Sequence, residues 1–303
     1  MKQIFLVFDE KLYFYRFCKE SDIQCLQVFS HNKILFLISR ILKKLEWKIP
    51  SFLWGDWKKE IIGCDKIVIT DYAYFPQIVK YIKNRNPHCD VFFYYMNNIN
   101  AMKSHYTTVD EVVRVFGREN VYTYNKNDAQ RYNINFKMTM YQPTSITQTE
   151  STFDLLFVGR DKGRGKQIQQ FYSDISDKYK CFFRIMDYQG ELGTDKYIDY
   201  EEYLLDMIKS KAIMEVVTDE QEEISLRVLE ALFYDKKLIT NNRKFVNLDI
   251  YNIMKKNVLI VDYGNIDYEK FETFMNKQFE KWDIDLTQYT FDEWMNSIGV
   301  NEN

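Results

Sequence analysis

The sequence predicts an α/β protein of two successive units, each built on a parallel sheet. Three observations lead there. Compact apolar runs of strand length alternate with runs of helical spacing, and no hairpin signal joins consecutive strands. Near the midpoint a polar stretch without aromatic residues, PTSITQTEST over 143–152, interrupts the alternation, which then starts afresh. The 303 residues, 46% of them apolar, also suffice for two cores of ordinary domain size. Repeated βα units imply parallel strands with helices on both faces. The expected domains are 1–143 and 152–285, with 286–303 a helical tail packing back on the first domain.

In the first half, residues 4–8 form a continuous apolar run ending at Asp9, the pattern of a strand buried on both faces. Residues 33–45 repeat apolar side chains at helical spacing, through Ile34, Leu37, Ile38, Ile41 and Leu45. The β-branched run 66–70 delivers Asp71 to a strand's C-terminal end, and Pro76 suits the first turn of the next helix. Residues 90–96 read as a buried strand, 109–116 as helix, 121–124 as strand and 128–132 as a short helix. In the second half, strand 153–158 leads through the turn 159–165 into a helix reaching about residue 179. Strands at 181–186, 212–217, 237–240 and 258–261 follow, with helices at 200–209 and 225–233.

Composition narrows the class. Only 10 Gly and 4 Pro argue against a disordered or collagen-like chain. The aromatic share of 17% also follows from AT-rich coding, so it carries no functional weight. Net charge is −3, but residues 1–150 hold 21 basic and 15 acidic side chains, whereas 151–303 hold 20 and 29. A basic first half suits an anionic surface or acceptor; ordinary surface variation would serve equally. Cys18, Cys25, Cys64, Cys89 and Cys181 lack CxxC spacing, which fits five reduced thiols better than disulfides or zinc. The opening apolar run is too short for a signal peptide, and no stretch reaches about 18 uncharged apolar residues. A cytoplasmic protein is expected, at most peripheral at the inner face of the cell membrane.

In open parallel sheets ligands bind beyond the strands' carboxyl ends, and three such loops of the second half carry suitable groups. Gly159, Arg160, Arg164 and Lys166 lie where a strand turns into a helix, and glycine backbone, cations and a helix N-terminus favour an anion. The segment is neither a Walker A loop nor GxGxxG, and a solvated basic turn would look the same. Ser225 or Glu223 is placed to cap a second helix. Glu230 follows Glu223 by seven residues, which on a continuous helix puts both carboxylates on one face. Solvated acids on an amphipathic helix share that spacing. Asn241 opens the third loop, 240–243.

These loops carry a resemblance. The carboxylates seven apart look like the EX7E arrangement of GT-B transferases. YEEYLLDMIKSKAIMEVV (200–217) followed by SLRVLEALFYDKKLITNN (225–242) resembles the C-terminal domain of bacterial lipopolysaccharide-core and capsule glycosyltransferases. FVGRDKGR (157–164) and NKNDAQRYNI (125–134) resemble their interdomain-side elements. The match covers roughly 121–245; the first hundred residues agree only in general pattern. It implies two Rossmann-like domains facing across a cleft, and a Leloir-type, metal-independent transferase without further cofactor. A UDP- or GDP-sugar would be the donor, bound by the C-terminal domain. A glycan or lipid-linked glycan would be the acceptor, on the N-terminal side. By the resemblance Glu230 meets the ribose, Ser225, Leu226 and Arg227 meet the phosphates, and Glu223 faces the donor sugar. The acidic run Asp219-Glu220-Gln221-Glu222-Glu223 departs from the Gln- and Gly-rich pattern of related sequences. A nucleotide-sugar 2-epimerase and a non-catalytic nucleotide-sugar-binding subunit are the rival readings.

An inverting transferase needs a carboxylate or His to take the acceptor's proton. Asp71, Asp9 and His105 are the candidates, although a strand-end Asp is also a common turn former. The lone DxD pair, Asp283 and Asp285, falls late in a charged stretch expected to be helical and is read as coincidence. Lys43 and Lys44 interleave with Trp47, Trp54 and Trp57, a composition suited to an anionic membrane or its lipid-linked acceptor. A core-packing helix with a Lys-rich outer face is equally consistent. No nucleic-acid-binding motif accompanies these residues, and none is expected to bind nucleic acid.

Overall fold

The structure, a computed structural model, describes residues 1–10, 14–147, 149–217 and 223–300. Residues 219–222 of the acidic run lie outside them. The chain forms two compact units, Met1–Thr144 with Thr287–Asn303, and Ser145–Leu286. Both are α/β, and each holds a six-stranded parallel sheet.

In the first unit β1 (Gln3–Val7), β2 (Gln24–Gln27), β3 (Lys66–Thr70), β4 (Asp90–Tyr95), β5 (Val121–Thr123) and β6 (Asn135–Phe136) lie in the order β2-β1-β3-β4-β5-β6. The helices between them are α1 (Phe14–Phe17), α2 (Lys33–Lys44), α3 (Trp57–Glu60), α4 (Gln77–Arg85), α5 (Val109–Phe116) and α6 (Lys126–Tyr132). All residues of β1 and β3 are buried, the polar Gln3, Lys66 and Thr70 at their ends included, and the apolar runs between suit strands covered on both faces. Asn32 caps α2 by accepting from the backbone N–H groups of Ile34 and Leu35.

The expectation of five reduced thiols is corrected here. Cys18 and Cys25 are joined as a disulfide with their Cα atoms 5.6 Å apart, while Cys64, Cys89 and Cys181 are free. A 3-10 turn at Cys18–Glu20 leads the chain back into β2, which carries Cys25. Without β2 in the sequence reading, that return could not be seen.

In the second unit β7 (Phe153–Arg160), β8 (Cys181–Met186), β9 (Gly193–Thr194), β10 (Ser210–Glu215), β11 (Lys237–Thr240) and β12 (Val258–Ile260) take the order β12-β11-β10-β7-β8-β9. The helices are α7 (Gly165–Ile175), α8 (Tyr200–Ile208), α9 (Leu226–Phe233), α10 (Asp249–Met254) and α11 (Tyr268–Asn276). Phe157, Phe171, Phe183, Met214 and Phe271 form its core. Asp283 and Asp285 lie in a segment without helix, which corrects the helical reading of that stretch.

The last helix, α12 (Phe291–Ser297), belongs to the first unit. Phe291 meets Phe5 edge-on at 5.3 Å, and Trp294 meets Tyr94 at 4.8 Å. Trp294 Nε1 also donates to the Met138 carbonyl at 2.7 Å. Helix ends leave carbonyls unpaired, and a buried lysine answers this in each unit. Lys66, at the start of β3, donates to the carbonyls of Met295, Asn296 and Ile298 at 2.9, 3.1 and 2.7 Å, closing α12. Lys237, at the start of β11, donates to those of Phe274 and Met275 at 2.8 and 3.0 Å, and to that of Lys277, closing α11.

Candidate functional site

Strand order locates the crevices. In the second unit the chain runs from β7 outward to β8 and β9, then returns to β10 on the other side of β7. The loops after β7 and β10 therefore diverge, and a doubly wound sheet binds ligands at such a switch point. A cavity of about 600 Å³ lies there. Its walls are Lys162, Gly163, Arg164 and Gln167 after β7, Val216 and Val217 after β10, Asn241 to Lys244 after β11, and Val261, Asp262 and Tyr263 after β12.

Four basic side chains and one acidic one line this cavity. Lys162 and Gly163 both adopt left-handed backbone, with φ of 47° and 82°, turning the chain sharply before α7. Asp161 Oδ1 closes the turn by accepting from Gly165 N at 2.6 Å. The guanidiniums of Arg164 and Arg227 both lie over the Phe157 ring, at 5.7 and 5.5 Å. Burial, and then Arg227, push the Arg164 pKa down to about 10, while Glu215 pulls against them. Glu215 is itself fixed, accepting from Ser225 Oγ and from Thr240 Oγ1, the latter at 2.5 Å.

Beside this site two buried donors, Arg227 Nε and Asn242 Nδ2, have no acceptor among the described residues. Asn242 is 2% exposed, stands in the cavity wall, and uses its oxygen to cap Lys244 N. Leaving such a group unpaired costs about 1–3 kcal/mol. Crowded cations, unpaired donors and a shaped cavity together favour an anionic, oxygen-rich ligand.

The first unit repeats the logic. Its chain runs from β1 to β2 and returns to β3 on the other side of β1. A second cavity, about 690 Å³, is walled by Phe8 after β1, Asp71 and Tyr72 after β3, α2 residues including Arg40, Lys43 and Lys44, and a loop carrying Met102 and Lys103.

No protein-family model matches this chain, and no curated protein matches it. Solved structures similar to it include the following two. One is T4 phage BGT in complex with UDP and Mn2+, 11% identical, with 86% of each chain covered and a TM-score of 0.40. The other is Methanocaldococcus jannaschii UDP-GlcNAc 2-epimerase in complex with UDP-GlcNAc and UDP, 12% identical, with 98% of each chain covered and a TM-score of 0.37.

Of the residues expected at the anion site, Arg164 and Asn241 line the second unit's cavity. Asn241 does so while bracing the end of β10, accepting from Val217 N at 2.7 Å and donating to Val217 O at 3.0 Å. Gly159 stands behind the wall, where a Cβ would meet Arg227 Nη2 at 3.1 Å, so the missing side chain makes room for the guanidinium. Ser225 caps α9, accepting from Arg227 N at 3.2 Å, and Leu226 is the first residue of that helix. Arg160 is exposed, outside the lining, and paired with Asp187 at 2.7 Å. Lys166, exposed on α7, is outside the lining.

The paired carboxylates are also corrected. Helix α9 begins at Leu226, so Glu223 precedes it and shares no helix face with Glu230. Glu223 is buried, and Glu230 is 2% exposed. Both Glu230 oxygens are taken, accepting from Tyr200 Oη at 2.8 Å and Tyr203 Oη at 2.5 Å. The tyrosines sit three apart on α8 and reach α9 together. Burial pushes the Glu230 pKa up, against those hydrogen bonds and Arg227. Glu230 thus links α8 and α9 through both of its oxygens. The sequence reading missed Gln167, Asp262, Tyr263 and Glu215 as site residues. The strand-end rule, applied also after β12 and to the last residue of β10, points to three of them.

The candidate proton acceptors stand as follows. Asp71 Oδ1 accepts from Tyr72 N at 2.7 Å, and Oδ2 accepts from Met96 N, Asn97 N and Asn97 Nδ2 at 3.2, 3.1 and 3.0 Å. It braces the ends of β3 and β4 and is 1% exposed. His105 is exposed, with Nδ1 3.3 Å from a Glu46 carboxylate oxygen. Asp9 is half-buried past the end of β1, outside the cavity lining.

The indoles divide. Trp54 and Trp57 are buried and stacked at 5.7 Å, and their Nε1 groups donate to the carbonyls of Ile49 and Val28. They are core, not membrane anchors, because each N–H finds a backbone acceptor inside. Lys43 also turns inward, donating to Tyr72 O; burial brings its pKa down to about 7, against the pull of Asp71. Lys44 and Trp47 are exposed.

Proposed function

We propose that this chain is a glycosyltransferase that moves a sugar from a UDP- or GDP-sugar onto a lipopolysaccharide or capsule glycan. The observation that carries this reading is the basic crevice at the β7/β10 switch point, with Asn242 Nδ2 unpaired in its wall. Its volume of about 600 Å³ suits a nucleotide-sized ligand. Lys162, Arg164 and Arg243 would hold a diphosphate. As the glycosidic bond breaks, negative charge grows on the leaving diphosphate oxygen, and preset cations favour that charge over the ground state. In this reading the cations do the work that a metal ion does elsewhere. The Tyr263 ring supplies an aromatic wall at the same site. The second unit is then the donor domain and the first the acceptor domain. Support for the latter is its own switch-point cavity with Arg40, Lys43, Lys44 and Lys103, within a half rich in basic residues.

A second reading has its own observation. Asp71 and His105 are both committed to other partners, which favours a nucleotide-sugar-binding subunit that draws its proton acceptor from a partner chain. Incubation with a panel of UDP- and GDP-sugars, with and without glycan acceptor, separates the cases. Acceptor-dependent transfer supports the transferase. Binding without turnover supports the subunit, and isomerisation of the donor alone supports an epimerase. Absence of nucleotide binding defeats all three.

A further inference from the structure

We infer that α2 docks this protein on an anionic lipid surface. Five apolar side chains face outward along it: Ile34 is 70% exposed, Leu37 55%, Ile38 40%, Ile41 50% and Leu45, at its C-cap, 49%. At the helical repeat they fall within an arc of roughly 100°, so they make one stripe rather than scattered exceptions. The opposite side already has its partner: Leu35, Phe36 and Leu42 pack against the first unit's core, and Ser39 is fully buried. The helix is therefore held from behind while it presents hydrocarbon in front. Trp47, 63% exposed, follows directly.

Charge identifies the occupant. Lys33, Arg40 and Lys44 run along one flank of the stripe, and Lys48 lies just beyond it. Between residues 33 and 55 the only acid is Glu46, and its carboxylate is occupied by Ser104 and His105. An apolar stripe bordered by cations fits a bilayer interface, where side chains enter the acyl boundary and cations meet anionic headgroups. Long basic side chains can lie along that boundary with their charges in the headgroup layer. A water-soluble acidic protein would match the charge but not five exposed aliphatic side chains in line. This surface acts independently of the nucleotide reading of the second unit, because it belongs wholly to the first.

The test is sedimentation of the full-length protein with vesicles of phosphatidylcholine, with and without phosphatidylglycerol. Binding is expected on the anionic vesicles, weakening as salt rises. Ile34→Glu with Ile38→Glu should reduce partitioning at least about ten-fold, and Lys33→Glu with Lys48→Glu should do the same. None of these four residues lines either cavity, and an unchanged circular dichroism melt shows that each variant is folded. Equal binding to neutral vesicles, or folded variants that bind like wild type, would overturn the inference. So would a wild-type dimer that ignores vesicles and becomes monomeric in Ile34→Glu/Ile38→Glu, since the stripe would then join two copies.

Discussion

At the scale of single residues, function and stability rest on groups whose surroundings oppose their charge. Arg164 is held against another guanidinium, and an anion between them relieves that repulsion. Arg164→Ala should weaken UDP or GDP binding by about 1.5–3 kcal/mol, the range for a hydrogen bond to a charged group. The loss should be smaller for the nucleoside; calorimetry with both ligands reads it, and equal losses would place Arg164 away from the phosphates. Glu230 offers a test in pH. Its folded pKa is raised by burial above the ordinary value of 4.5, so the folded state keeps a proton that the unfolded state releases. Stability is thus lost as pH rises from about 4.5 through the raised value. Glu230→Gln removes that dependence, so denaturation midpoints should shift in favour of Gln with rising pH. A pH-independent difference would count against it. The carboxylate was legible as a singular acid on an apolar helix. Its tyrosine partners were not, because seven-residue spacing does not say where the helix begins.

Among elements, long inner strands announced themselves and short ones did not. The all-buried runs of β1 and β3 read directly as strands. In contrast, β6 and β9 have two residues each, too few to show any period, and β2, at the sheet's edge, is a four-residue Gln-Cys-Leu-Gln with no alternation of its own. The lysines that begin β3 and β11 looked like surface residues in sequence, yet they are 7% and 5% exposed and close two helices. Lys66→Met keeps the aliphatic stem but leaves three carbonyls unpaired. It should cost about 1–3 kcal/mol in chemical denaturation, and Lys237→Met a similar amount. A neutral result at both sites would mean that water serves those carbonyls as well.

For the whole molecule, two sheets with different strand orders share one rule, a cavity where the strand order reverses. The alternation of elements made that rule applicable before any coordinates, whereas the Asn241 side chain's clamp on the Val217 backbone past β10 and the core role of Trp54 came only from packing. The first unit also depends on a distant stretch of sequence, since α12 covers the face of Phe5 and Tyr94. Trp294→Ala should cost about 3–5 kcal/mol, as expected for emptying a core aromatic site. Hydrogen exchange should show the loss in β1 and β4 while the amides of β7 and β10 keep their protection. Loss of protection spread evenly over both sheets would contradict this. The same arrangement orders events on the ribosome. The helix that finishes the first unit is translated after the entire second unit, so an aromatic sheet face waits uncovered while 145–286 is being made. The continuous second unit can fold as it emerges. The first unit is therefore completed only after the second, and is the one of the two more in need of chaperone cover during synthesis.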